Sequence, residues 1–214
     1  MYDFYYNVLC QIFSPESVKL LFTDTDSLCV SITGYDNIHH QIRNTTIIRE
    51  DGQHVSAIDF FDVSGYPSDH CIFDGMSEEE INHLKQTNKK VPGKMKDELD
   101  GNIIIEFVGL RAKAYAFKKL IEYPTEKQKK GDIEEVKKLK GIQKCVVAKN
   151  ISFDTYKSAI FESKTEYADT VTLQSYLHEI RTVAKRKKAT GPYDDKRYIL
   201  KDGISSYPYG HYSI

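Results

Sequence analysis

Leu20-Leu21-Phe22-Thr23-Asp24-Thr25-Asp26-Ser27-Leu28 is the stretch on which the reading of this chain turns. Val18 to Phe22 and Ser27 to Ile32 are apolar and strand-prone, and Thr-Asp-Thr-Asp joins them, so the pattern predicts a β-hairpin. Asp24 and Asp26 stand two apart. On a straight strand they would share a face, because strand side chains alternate; a tight turn breaks that parity. Two close carboxylates repel each other unless they are exposed at a hairpin tip or share a cation. Hard oxygen donors of this kind suit Mg²⁺, which takes one or two carboxylates and completes its shell with water and phosphate. A bare Asp-Thr-Asp fits a solvated turn equally well. An EF-hand is excluded, since its glycine and later glutamate are missing.

Outward from this hairpin, Tyr2, Tyr5, Leu9 and Ile12 recur at helical spacing, predicting a helix over 2–13 that Ser14-Pro15 ends. It has no N-cap, which fits either a helix that begins elsewhere or an ordinary frayed end. Residues 34–90 read as polar and irregular, apart from two local signals. Asp51-Gly52 predicts a small hairpin between Ile47-Ile48 and His54-Val55. Ser77 with Glu80 predicts a capped short helix. Ile103 to Val108 and Ala112 to Phe117 are strand candidates broken at Gly109. Lys127 to Lys140 reads as a highly charged, mostly solvated stretch. Ser152 caps a helix over 153–162, with Phe153, Tyr156 and Ile160 on one side. Residues 171–184 fit helix and strand alike, and the tail after Thr190 reads as ordered but irregular.

The whole chain carries a net charge of −1, but the charge is split. Residues 1–80 hold 14 acids against 3 bases, and residues 81–214 hold 17 acids against 27 bases. A segment of net −11 beside one of net +10 fits a cation-holding half and a polyanion-holding half, or two solvated surfaces that differ in composition. No apolar run approaches the roughly 20 residues of a membrane span. The opening Met1-Tyr-Asp-Phe is not a signal peptide, and the reading is of an intracellular protein. The cysteines at 10, 29, 71 and 145 lack CxxC spacing and read as reduced and mostly buried. His70-Cys71 is half a metal pair, but no second pair completes it, so zinc is not expected. Lys185-Arg-Lys-Lys188 reads as a phosphate contact, a nuclear-targeting patch or plain solvated surface.

Phe22-Thr-Asp24-Thr-Asp26-Ser27 resembles motif C of family B DNA polymerases, with Phe where a Tyr is usual; the ring is kept and a hydroxyl lost. Other blocks follow in the same order. Met1 to Asn7 resembles the helix before motif C in the protein-primed, virus- and mobile-element-like branch. Asn88 to Glu98 resembles the strand region after it, and Glu106 to Tyr115 contains the family's Lys-x-Tyr motif at Lys113 and Tyr115. Lys140-Gly-Ile with Ser152 to Ile160 is similar to the start of the thumb. Asp194 to Gly203 and Tyr209 to Tyr212 are similar to the family's C-terminus. Residues 35–57 and 74–87 match least. Motifs A and B, with the first catalytic aspartate and the nucleotide-binding lysine, are missing from these 214 residues, as is the exonuclease. Asp62-Val-Ser64-Gly-Tyr66-Pro67 looks like motif A with one residue deleted, but it follows motif C, and a loop with a buried Tyr is the expected reading.

The resemblance implies an α+β fold: an antiparallel palm hairpin with a covering helix over 1–120, then a small mixed thumb and tail over 121–214. It implies template-directed nucleotidyl transfer with two Mg²⁺ ions. Asp26 is the direct metal ligand in that scheme, Asp24 supports it, and Thr25 is the nucleotide-binding position. Lys113, Tyr115 and Arg111 hold the primer strand. The implied partners are primer-template DNA, deoxynucleoside triphosphates, the remaining polymerase and a terminal protein primer, at a nuclear or viral replication site. Without motifs A and B the chain is expected to be inactive alone. The alternative is a remnant or domesticated module that binds nucleic acid without catalysis.

Overall fold

The computed structural model describes residues 1–193, 197–203, 205–208 and 210–214. The described residues form a mixed α+β protein of short helices and small, mainly antiparallel sheets. Backbone contacts divide it into two compact units that interleave in sequence. Unit 1 is Met1–Ile104 with Lys119–Glu134, and unit 2 is Ile105–Lys118 with Glu135–Ile214. The sequence reading instead cuts the chain once, after residue 120. No helix among the described residues is long and apolar enough to cross a membrane.

Unit 1 opens with the expected helix, but its middle is a π-helical stretch, Phe4–Leu9, that continues as α1, Cys10–Phe13. The wider turn shifts the buried stripe to Val8, Leu9, Ile12 and Phe13, leaving Tyr2 outside. Ser14, at φ 63°, stops the helix. Strands β1, Val18–Asp24, and β2, Ser27–Ile32, then pair antiparallel as expected. The register shifts between Leu20 and Phe22, a bulge that adds one residue to β1 and increases local twist. Helix and hairpin share one core, in which Val18, Val30 and Ile32 meet the helix stripe and the Tyr5 hydroxyl donates to the Val18 carbonyl at 3.2 Å.

The expected irregular region contains a helix that periodicity did not reveal: α2, Ile38–Asn44, capped by the Asn37 side chain. The Asp-Gly hairpin is present as β3, Thr46–Ile48, and β4, His54–Ser56. Next comes β5, Phe61–Asp62. The capped helix α3 spans Glu78–Thr87 and has both halves of its capping box, Ser77 and Glu80. β6, Met95–Lys96, pairs with β5 in parallel.

Strands β7, Ile103–Arg111, β8, Ala114–Leu120, and β9, Ile133–Leu139, form a three-stranded sheet. One expectation is corrected here. Gly109 does not break β7; the turn falls at Ala112-Lys113. The charged stretch 127–140 is mostly exposed, as expected, and β9 lies within it. Unit 2 has its own core, built from Val108, Ala114, Ala116, Leu139, α4 (Lys144–Asn150) and α5 (Phe153–Phe161). Ser152 caps α5 as expected, but Ala159 rather than Ile160 joins Phe153 and Tyr156 inside. The ambiguous segment is a long hairpin, β10 (Glu166–Tyr176) with β11 (Glu179–Thr190). The tail forms a last pair, β12 (Arg197–Ile199) with β13 (Ser206–Pro208). Asp194, Asp195, Lys196 and Tyr209, part of the expected C-terminal blocks, lie outside the described residues.

Candidate functional site

The β1–β2 hairpin is the tightest kind that two strands allow. Asp24 pairs with Ser27, so Thr25 and Asp26 alone make the turn. Thr25 adopts φ 61°, and the Asp26 N–H donates to the Asp24 carbonyl at 2.8 Å, closing a three-residue turn centred on Thr25. A β-branched residue in the left-handed region is strained by about 1–3 kcal/mol, because its Cβ crowds the backbone. Glycine or asparagine is what a turn selected for stability carries here. Ser27 supports the strained tip by donating its hydroxyl to the Asp24 carbonyl at 3.2 Å.

Asp24 ends β1 and is half-buried, whereas Asp26 lies in the turn and is exposed. Strand alternation therefore does not govern where the Asp26 carboxylate points, and the shared-face argument lapses. Asp24 Oδ1 accepts from the Thr25 hydroxyl at 3.3 Å. The donor chemistry at this tip is of the kind that suits Mg²⁺: hard oxygens from two carboxylates, one of them open to solvent.

The second set of expected residues lies on β7, β8 and the turn between them. Lys113 occupies the turn at φ 59°, and its carbonyl accepts the Lys140 N–H at 2.9 Å. It lies before the strand begins, so strand alternation does not place Lys113 and Tyr115 on one face. Arg111 ends β7 and is half-buried. Along β8, Ala114 and Ala116 are buried in the unit 2 core, so Tyr115 and Phe117 point to the opposite face. The Tyr115 and Phe117 rings are near-parallel at 6.4 Å, and Phe107 of β7 stands 6.1 Å from Tyr115. Gly109 leaves room for the Phe107 ring, whose edge would be 3.0 Å from a Cβ there. This row of three rings was missed in sequence. The alternation Ala-Tyr-Ala-Phe over 114–117 was the signal for it.

Other cations of this unit have structural duties. Lys118 lies 3.3 Å from Glu106, Lys157 pairs with the same carboxylate, and both ammonium groups stand over the Phe153 ring. Hydrogen bonding from Lys157 leads the lowering of the Glu106 pKa. The Lys185–Lys188 run is divided by strand alternation. Lys185 and Lys187 fall on the side of buried Thr170 and Ala168, while exposed Arg186 stacks over Tyr167 at 5.5 Å.

Asp62, in the stretch like motif A, is only 7% exposed. Its Oδ1 accepts the Ser64 N–H at 2.9 Å and its Oδ2 the Lys90 N–H at 3.0 Å. Burial works to raise its pKa, but hydrogen bonding from the Ser64 side chain and from the Lys90 and Ser64 N–H groups, with the Lys96 charge, outweighs burial and holds the carboxyl below its usual value. Tyr66 is buried, as expected of this loop. The cysteines are less buried than expected: all four are free, three are half-buried and Cys145 is exposed.

The chain matches no known family model, no curated protein and no solved structure.

Proposed function

We propose that this chain is the C-terminal portion of a family B DNA polymerase of the protein-primed kind, carrying its last aspartate motif and its primer-gripping motif. The observation that carries the reading is the tip Asp24-Thr25-Asp26: two carboxylates flanking a β-branched residue held at φ 61°. Strain of this kind persists where the surroundings enforce it, and it concentrates at ligand-binding positions. The ordered blocks of resemblance on either side of the tip support the same reading.

In this scheme Asp26 is the direct Mg²⁺ ligand, Asp24 supports it and Thr25 contacts the incoming nucleotide. The Mg²⁺ ions supply charge neutralisation at the transferring phosphate. Lys113 gives a phosphate its counter-charge, the Tyr115 hydroxyl hydrogen-bonds the sugar-phosphate backbone, and Arg111 adds a second cation. The motif A aspartate and the nucleotide-binding lysine come from outside these 214 residues. A non-catalytic nucleic-acid-binding module is the second reading, favoured by the lack of those two motifs in this sequence.

Fluorescence anisotropy with a labelled primer-template, read at several salt concentrations, tests the grip. Contact with about three to five phosphates gives a slope of log affinity on log salt of roughly −3 to −5. Lys113→Ala reduces its magnitude by about one unit on any sequence. Tyr115→Phe weakens binding and leaves the slope, because it removes a hydrogen bond and no charge. Undetectable binding at low salt counts against both readings. In primer extension with Mg²⁺ or Mn²⁺, the purified chain is expected to be inactive. Extension above an Asp26→Ala control would show that the metal site is complete without motif A.

A further inference from the structure

His70-Cys71 is half a metal pair in sequence, and the fold of unit 1 brings a third donor to it. The Asn37 side chain caps α2 by accepting the N–H groups of His39 and His40, at 2.9 and 3.0 Å. This fixes His39 on the buried side of the helix, with its ring 4.5 Å from that of His70. His70 opens a short 3₁₀ turn, Cys71–Phe73, and is 1% exposed between the rings of Tyr66 and Tyr123, at 4.3 and 4.4 Å. Cys71 is half-buried, with its sulfur 3.5 Å from Asn37 Nδ2 and its N–H on the Tyr123 hydroxyl. One donor atom from each of His39, His70 and Cys71 lies within 4.8 Å of the other two.

We propose that His39, His70 and Cys71 form a binding site for one Zn²⁺ ion. Two imidazoles and a thiolate are a borderline-soft donor set, which selects zinc over the Mg²⁺ suited to the Asp24–Asp26 tip. The tautomer of His70 is set. Its Nδ1 accepts the Ile72 N–H at 3.1 Å, which leaves the proton on Nε2. Nε2 is buried with no well-formed hydrogen bond and lies against the Gly101 backbone, where a Cβ would be 2.4 Å away. An imidazole that binds metal through one nitrogen and turns its other N–H towards a backbone group is the usual outer-shell arrangement. Coordination through Nδ1 displaces the Ile72 N–H, and the three donors close by about 1 Å to reach tetrahedral spacing.

The test uses the full chain, stripped with a chelator and titrated with Co²⁺ and then Zn²⁺. One equivalent of Co²⁺ is expected to give a thiolate-to-metal charge-transfer band that Zn²⁺ displaces. Cys71→Ser should abolish the band, and His39→Gln should weaken binding at least tenfold. Cys145→Ser should change neither. A folded wild-type chain without the band overturns the proposal, and so does a band that survives Cys71→Ser. If the variants do not fold, the wild type decides by alkylation with iodoacetamide and peptide mapping. Zn²⁺ should slow modification of Cys71 at least tenfold and leave Cys145 unaffected, whereas equal rates for Cys71 with and without Zn²⁺ leave only a packed core histidine.

Discussion

Asp26 and Asp62 both stand in short stretches that resemble aspartate motifs of a polymerase palm, and the fold gives them opposite surroundings. Asp62 is buried, and each carboxylate oxygen is taken by a backbone N–H, from Ser64 and from Lys90. Asp26 is exposed, in a turn whose central residue is strained. A carboxylate with both oxygens engaged by backbone donors is holding the chain together. One placed in solvent on a strained, tightly closed turn costs stability locally and is available to a ligand. Two aspartates of similar sequence context are thus told apart by where their hydrogen bonds come from.

The largest expected effect is on Asp62. Its replacement by alanine orphans two backbone N–H groups in a buried place, and urea unfolding at neutral pH should show a loss of about 2–4 kcal/mol. Asp26→Ala should stay within about 0.5 kcal/mol of wild type. Comparable losses for the two variants would break the contrast.

The pH dependence sharpens it. The folded-state pKa of Asp62 is depressed, so its stabilisation is fully present above the unfolded value of about 4 and is lost as pH falls through the folded value. Stability should decline over that acid range. Asp62→Asn should flatten the decline, whereas Asp26→Asn should leave it in place.

Thr25→Gly comes next in size. Glycine adopts φ 61° without crowding, so the variant should gain about 1 kcal/mol in the same unfolding experiment. A loss of stability would mean that the Thr25 side chain is needed to hold the tip. The smallest effect is that of Mg²⁺. At a concentration equal to its dissociation constant, Mg²⁺ should stabilise the chain by only about 0.4 kcal/mol. The gain should vanish in Asp26→Ala and persist in Asp62→Asn; its survival in Asp26→Ala would remove the reason to treat the tip as a metal site.

Much of the local structure was legible. The Asp-rich hairpin, the Asp51-Gly52 hairpin and the caps at Ser77 and Ser152 depend on interactions within about four residues, and all are present. The errors came where the deciding partner is distant or is an unusual backbone. The face of the first helix was misjudged because a π-helical stretch resets the 3.6-residue period. β9 was not read as a strand because Ile133-Glu-Glu-Val-Lys-Lys-Leu139 has no strand alternation of its own, and its place in the sheet beside β8 makes it one. A strand break was expected at Gly109, but there the missing side chain accommodates the Phe107 ring instead.

The sequence by itself determined where turns, caps and hairpins fall, and that two carboxylates flank Thr25, because those features are set by neighbours along the chain. Tertiary structure alone decided which carboxylate is occupied and which imidazole meets the thiol. Asp62 is fixed by an N–H 28 residues away, and Cys71 faces His39 from 32 residues away. Such pairings depend on how a whole core closes around Tyr66, Phe73 and Ile42, and no local spacing records it.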